Sequence, residues 1–159
     1  MAKINIIAAI DNNRAIGYQN KLLFHIDEDM KHFKQLTTGH TIVMGRRTFE
    51  SLPNGALPHR RNIVVSTTIK QRELAEGYSY HKQQGIEVYG SLTEALAACA
   101  NEDDIYIIGG EKIYQQAIAI ANRLYLTIID ASAPNADAWF PPFDGWMLKE
   151  ESPRQGHSF

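Results

Sequence analysis

The stretch Leu22-Leu23-Phe24-His25-Ile26-Asp27-Glu28-Asp29-Met30-Lys31-His32-Phe33-Lys34 carries the residues best placed to do chemistry. Asp29 and Phe33 are four apart and Met30 and Phe33 three apart, so on a helix they share a face. A carboxylate on an apolar face costs free energy unless a cation or hydrogen-bond donors meet it. No basic residue lies close by on that face, since Lys34 falls beside Met30 rather than Asp29. A ligand that donates hydrogen bonds would supply the partner. The plainer alternative is that Asp27, Glu28 and Asp29 are ordinary acids of a helix N-terminus, with Asp27 as the N-cap. That alternative suits Asp27 and Glu28 better than Asp29.

Three further groups sit where apolar runs end. Met44 is followed by Gly45-Arg46-Arg47-Thr48, Val65 by Ser66-Thr67-Thr68, and Ile108 by Gly109-Gly110-Glu111-Lys112. Glycines let backbone amides approach an anion, and arginines and hydroxyls bind phosphate oxygens. Each group alone is weak, because Gly-Gly after a strand is often a tight turn and Arg-Arg on a helix is usually solvated surface. Together, at three strand ends, they point to a phosphate-rich nucleotide. The P-loop pattern Gly-x-x-x-x-Gly-Lys-Ser/Thr is absent, which disfavours nucleoside triphosphate hydrolysis. The Gly-x-Gly-x-x-Gly fingerprint is absent too, so any dinucleotide must be held by a different strand order.

The elements that must position these groups follow from the apolar pattern. Runs at 3–10, 41–44, 62–65, 86–89, 105–108 and 124–129 read as strands. They are apolar on both faces, as parallel strands covered on both sides would be. Helical spacing recurs at 27–37, 48–52, 92–100 and 111–121, with Ser91 and Glu94 forming a capping box. The alternation predicts an α/β fold, a mainly parallel sheet with right-handed crossovers and helices on both faces. In such sheets ligands sit at the carboxyl ends of the strands. The tail from Trp146 to Phe159 contains Pro153 and Gly156 and reads as an antiparallel strand pair at an edge, making eight strands in all.

Composition bounds the function. The 159 residues suffice for one domain spanning 1–159 with a proper core. The net charge of −2 argues against nucleic acid, which needs a concentrated basic surface. The single cysteine, Cys99, allows no disulfide within the chain and falls on a buried helical face, as a core thiol rather than a nucleophile. The apolar run at the N-terminus is too short to span a membrane and lacks a cleavage pattern. A cytoplasmic monomer is the expectation.

The same residues, in order, resemble dihydrofolate reductase of the bacterial chromosomal type. Ile7-Ala8-Ala9 followed by Ile16-Gly17 is similar to that family's first strand and mobile loop. Asp29-Met30-x-x-Phe33-Lys34 resembles its acid-bearing helix, and Met44-Gly45-Arg46-Arg47-Thr48-Phe49-Glu50-Ser51-Leu52 its phosphate-binding turn and helix. Leu57-Pro58-x-Arg60-x-Asn62 resembles the segment whose arginine holds the folate tail. Ile108-Gly109-Gly110, Leu124-Tyr125-Leu126-Thr127 and Phe140-Pro141 complete a set covering nearly the whole chain.

The resemblance implies that NADPH transfers hydride to dihydrofolate, giving tetrahydrofolate. It implies that Asp29 accepts the two donors of the pterin amino-amide edge and promotes protonation, with Thr127 supporting Asp29 from behind and Leu22 completing the catalytic set from the apolar slot. The substrate slot would be Ile7, Ala8, Met30, Phe33, Lys34, Ser51, Leu52 and Ile108, with Arg60 clamping a tail carboxylate. Ala9, Ile16 and Asn20 would lie near the nicotinamide. Gly45, Arg46, Arg47, Thr48, Ser66 and Thr67 would hold the adenosine side with its extra phosphate. The backbone of Gly109, Gly110, Glu111, Lys112 and Ile113 would take the pyrophosphate. No metal is implied, and antifolate inhibitors would occupy the slot of Leu22, Met30, Phe33 and Ile108.

The chain departs from the family pattern in places. Leu23, Phe24 and Asp27 stand where the family usually has Pro, Trp and Pro. Ala136-Asp137-Ala138 replaces a common Gly-Asp-Thr, and the last strand is expected to be shortened. Two other readings follow: a reductase of a related pterin, and a non-catalytic folate- or nucleotide-binding protein. Arg60 favours a substrate with an acidic tail over the first, and Asp29 argues against the second.

Overall fold

The computed structural model describes residues 2–18, 21–22, 27–52, 54–69, 85–129 and 136–148, and for 17–18, 21–22 and 27–30 the backbone alone. The elements run β1 (Lys3–Ile10), β2 (Ala15–Tyr18), β3 (Lys21–Leu22), α1 (Asp27–Thr37), β4 (Thr41–Gly45), α2 (Arg46–Ser51), β5 (Arg61–Val65), β6 (Glu87–Tyr89), α3 (Leu92–Ala97), β7 (Asp104–Gly109), α4 (Glu111–Ala117), β8 (Arg123–Ile128) and β9 (Ala138–Trp139).

Six of the strands form one sheet in the order β6-β5-β4-β7-β1-β8. Every pairing in it is parallel. This is the α/β architecture with a mainly parallel sheet that the doubly apolar runs require. Alternate residues of each strand enter two cores. Ile6, Val43, Ile63, Ile105 and Ile107 pack with Leu92, Ala95, Cys99, Ile113, Tyr114 and Ala117 on the face covered by α3 and α4. Ile42, Met44, Val64 and Tyr106 pack with Phe49 of α2 on the other face, and Leu36 of α1 packs against them.

Two expectations about the sheet are met only in part. The described residues do not form one eight-stranded sheet with an antiparallel edge. They form the six-stranded parallel sheet and a separate three-stranded antiparallel one, β3-β2-β9. The members of the small sheet are four, two and two residues long, too short for a period-two pattern to register. Residues 146–148 form no strand, and the remainder of the expected tail pair lies outside the described residues.

Helix boundaries shift for local reasons. The segment expected at 48–52 is helical from Arg46, with Gly45 in extended backbone as its N-cap. The helix expected to reach Ala100 stops at Ala97, after which Cys99 and Ala100 donate to carbonyls three residues back, the tightening common at helix ends. The helix expected at 111–121 closes similarly, with Ile120 donating to Ala117. Asp27 is the first helical residue of α1 rather than its cap, a one-residue shift. The Ser91 hydroxyl accepts the Glu94 N–H at 3.1 Å, and the Glu94 carboxylate reaches back to the N–H of Gly90 rather than Ser91.

Cys99 is fully buried, and burial pushes its thiol up to about 12. Native protein at neutral pH is therefore expected to resist iodoacetamide and to alkylate only on unfolding. Stoichiometric labelling in buffer would show that α3 opens locally. Among the described residues, no helix is long and apolar enough to cross a membrane.

Candidate active site

The topology creates a switch point. After β1 the chain passes to β4 and works outward through β5 and β6. It then returns to insert β7 between β4 and β1 and places β8 on the far side of β1. Ligands of open α/β sheets bind at the carboxyl ends of strands where the order reverses. Here those ends are Gly45 of β4 and Gly109 of β7. The β4–β7 register skips Ile108, running from Val43↔Ile107 to Met44↔Gly109. Such an irregularity re-aims the side chain it skips. Ile108 packs against the α1–α2 core with Leu36, Leu52, Leu57 and Tyr125.

The glycines at this junction sit where an added side chain would crowd its neighbours. A Cβ on Gly109 would meet the Thr48 hydroxyl oxygen and the Tyr114 hydroxyl oxygen, each at 3.3 Å, and Gly109 has φ +129. A Cβ on Gly110 would meet the same Thr48 oxygen at 3.3 Å, and one on Gly45 would meet Ile113 Cγ1 at 3.3 Å. The β4–α2 and β7–α4 turns thus pack closely, with the side chains of Thr48, Ile113 and Tyr114 against glycines whose missing Cβ lets the two backbones approach. Tyr114, fully buried, donates its hydroxyl to the Ile7 carbonyl at 2.9 Å and ties α4 to β1. Burial raises its pKa, so the phenol stays protonated. Gly109→Ala combines a backbone conformation L-residues avoid with two tight contacts. It is expected to cost on the order of 1 kcal/mol or more, read as a lower Tm in thermal denaturation. An unchanged Tm would contradict the close packing of this junction.

The arginines divide by partner. Arg46 is exposed and stands 3.8 Å from Glu50, four residues on. Arg47 is exposed and makes no ion pair or hydrogen bond among the described residues. Of the expected hydroxyls, Ser66 accepts the Ile69 N–H at 3.2 Å, and Thr67 donates to the Gly90 carbonyl at 3.1 Å. Both hold their own turns.

Arg60 and Arg61 are adjacent yet electrostatically opposite. Arg61 makes two contacts with Glu87, 2.5 and 2.7 Å, and one with Glu102 at 3.1 Å. Its pKa is raised, chiefly by the Glu87 hydrogen bond. Glu102 also accepts the Thr41 hydroxyl. Arg60 has no carboxylate against it among the described residues. Its Nε donates to the Pro58 carbonyl at 2.9 Å and its Nη1 to the Thr37 hydroxyl at 3.0 Å. Burial alone lowers its pKa. The loop that aims it is locked by buried Asn62, which accepts the Leu57 N–H at 2.9 Å. The same side chain donates to the carbonyls of Leu57 and Arg60, also at 2.9 Å. Thr37 is fully buried at the end of α1, its hydroxyl donating to the Phe33 carbonyl at 2.8 Å. Thr37 and Asn62 were not among the expected site residues. A buried threonine closing a helix and a buried asparagine opening an apolar strand were the available signals.

Other expected residues distribute as follows. Ile7 is buried and pairs with Tyr125, while Ala9 pairs with Thr127 on β8. Phe33, Ser51 and Leu52 are half-buried, and Lys34 is exposed. Ser51 donates to the Thr48 carbonyl at 2.6 Å. Ala8 and Ile108 pack against different cores. Strand alternation places it on the opposite face, against the α3–α4 core. Ile16 and Ile113 belong to that same core, and Lys112 is exposed. Glu111 is half-buried at the start of α4, its carboxylate on the Trp139 N–H. Leu22 is placed in β3, and Asp29 and Met30 in α1, by backbone alone. Position 29 lies one turn before Phe33 and two turns before Leu36, on one helical stripe. Asn20, Leu23 and Phe24 lie outside the described residues. No group of His, Cys, Asp and Glu suited to a metal occurs among the described residues.

A family model described as Dihydrofolate reductase matches residues 3–158. Among curated proteins, the chain is 42% identical over 151 residues to the Dihydrofolate reductase type 3 of Salmonella typhimurium, covering 94% of this chain and 86% of that one. It is 41% identical over 157 residues to the Dihydrofolate reductase of Neisseria gonorrhoeae, covering 98% and 90%. It is 39% identical over 153 residues to that of Bacillus subtilis (strain 168), covering 96% and 84%.

Proposed function

Since this chain belongs to the dihydrofolate reductase family, and reduces dihydrofolate to tetrahydrofolate, we propose that its hydride donor is NADPH and that Asp29, Arg60 and the Gly45–Gly109 junction divide the binding between them. The observation that carries the substrate half is Arg60, a partly buried guanidinium held by Thr37 and Pro58 with no carboxylate against it among the described residues. A dihydrofolate tail ends in carboxylates, and a fork of this kind binds one with paired hydrogen bonds.

The cofactor half rests on the closely packed Gly45 and Gly109-Gly110 turns at the strand ends and on exposed Arg47, which makes no ion pair or hydrogen bond among the described residues. These fit a dinucleotide: main-chain amides of residues 109–113 for its pyrophosphate, Thr48 beside them, and Arg47 for the extra phosphate that distinguishes NADPH from NADH. When bound, NADPH supplies the hydride. The chain's residues orient the two rings, exclude water and favour a proton at the reacting imine nitrogen. The Asp29 carboxylate accepts the amino-amide edge of the pterin, with Thr127 behind it. Leu22, Met30, Phe33 and Ile108 form the apolar slot, which antifolates would share. The chain is proposed to act as a cytoplasmic monomer and a single domain.

The test is steady-state oxidation of NADPH and of NADH with dihydrofolate. NADPH is expected to be preferred, and Arg47→Ala to narrow that preference about tenfold through NADPH affinity, the scale of one charge-assisted phosphate contact. Equal use of both cofactors by the wild-type protein would reject the assignment.

A further inference from the structure

Glu111 opens α4 directly after Gly109-Gly110, yet no side chain caps that helix. Its Oε2 accepts the backbone N–H of Trp139 at 2.8 Å instead. Phe140, the next residue, donates its N–H to the Arg14 carbonyl at 2.7 Å. Its carbonyl accepts Arg14 Nη1 at 2.5 Å. The backbone groups of Phe140 therefore face the β2 side. Successive residues of a strand direct these groups to opposite edges, so the Trp139 N–H lies on the outer edge of β9. Glu111 satisfies it where a further strand otherwise would.

β9 is two residues long and pairs with β2 at Ala15↔Trp139 and Gly17↔Ala138, around an irregularity. Strands this short are marginal by themselves and depend on what ties them down. At the inner end, the ring of Phe140 is fully buried, 4.9 Å from Tyr114. At the base of the loop, the Asp11 carboxylate accepts the N–H groups of Asn13 and Ala15. At the outer edge the tie is Glu111.

We propose that Glu111 is a positioning residue for hydride transfer: its grip on Trp139 fixes the β3-β2-β9 sheet, and with it Ile16, relative to the Gly109-Gly110 turn. This rests on the reading that residues 109–113 receive the cofactor's pyrophosphate and that Ile16 lies beside the nicotinamide. One carboxylate then joins the segment holding the cofactor's phosphates to the segment packed on its reacting ring. The same bond turns the Glu111 charge toward Trp139 rather than toward the amides of its own helix.

Glu111→Ala removes the acceptor, whereas Glu111→Gln keeps an oxygen acceptor and removes the charge. The experiment measures backbone amide exchange by NMR, NADPH Kd, and single-turnover hydride transfer in wild type and both variants. In Glu111→Ala, exchange at Trp139 and Phe140 is expected to accelerate and hydride transfer to slow about three- to tenfold, the scale of one hydrogen bond. NADPH Kd should stay within about twofold, and Glu111→Gln should restore both readouts. Unchanged exchange and unchanged transfer in Glu111→Ala would overturn the proposal. Equal losses in the two variants would also overturn it, pointing to charge rather than grip. NADPH added to wild type should shift the amides of residues 110–113. Absence of those shifts would reject the pyrophosphate reading itself, whatever happens at Trp139.

Discussion

Asp29→Asn is expected to lower kcat/KM for dihydrofolate by roughly two to four orders of magnitude at neutral pH, with NADPH Kd close to wild type. A carboxylate offers two acceptor oxygens to the two donors of the pterin edge. An amide offers one acceptor and turns donors toward a donor. Two charge-assisted hydrogen bonds at about 1.5–3 kcal/mol each, at ~1.4 kcal/mol per factor of ten, give the range. Position 29 stands on the α1 stripe that continues through Phe33 to Leu36, and Leu36 packs against the core containing Met44 and Tyr106. Asp27→Asn and Glu28→Gln change acids of the helix's first turn and should cost about 1 kcal/mol of stability at most, the scale of a lost cap. Steady-state kinetics on the three variants decide the matter. If Glu28→Gln proved as damaging as Asp29→Asn, the stripe assigned to substrate would be the wrong one.

Arg60→Ala is expected to raise KM for dihydrofolate about 10- to 100-fold, with kcat changed little. The guanidinium meets a part of the substrate remote from the reacting ring, so its loss removes binding that ground and transition states share. The magnitude is that of a charge-assisted hydrogen bond, about 1.5–3 kcal/mol. Arg60→Lys should recover only part of it, because an ammonium cannot reproduce the fork. Arg61→Ala is the contrast. It breaks the pairs with Glu87 and Glu102 and should lower Tm while leaving KM near wild type. A tail-less dihydropterin adds a second contrast, since Arg60→Ala should scarcely affect its KM. Equal KM losses for the tailed and tail-less substrates would place Arg60 outside tail recognition.

How far the sequence was legible depended on the range of the interactions involved. The parallel strands of five or more residues and α1 were legible because each is a run long enough to show its pattern, and α1 spans the residues its spacing marked. The small sheet was not, because β3 and β9 are two residues each and exist through contacts between distant segments, such as Arg14 with Phe140. Ala8 and its neighbour Ile7 were both expected at the substrate slot, and the side chain of Ala8 packs against the α3–α4 core. Ser66 and Thr67 carry the hydroxyls expected to meet phosphate, and of the bonds they also make to Ile69 and Gly90 the second joins segments that the sequence alone does not show together. The electrostatic difference between Arg60 and Arg61 was invisible in a dipeptide. It arises from Glu87 and Glu102, 26 and 41 residues away from Arg61.

The most direct measurement is a crystal structure of the ternary complex with NADP+ and folate. The predicted result has the Asp29 carboxylate on the pterin amino-amide edge and Arg60 on a carboxylate of the tail. It also has the pyrophosphate against the amides of residues 109–113 and Arg47 on the extra phosphate. A pterin edge paired with a group other than Asp29, or a tail that leaves Arg60 without a carboxylate, would contradict the account.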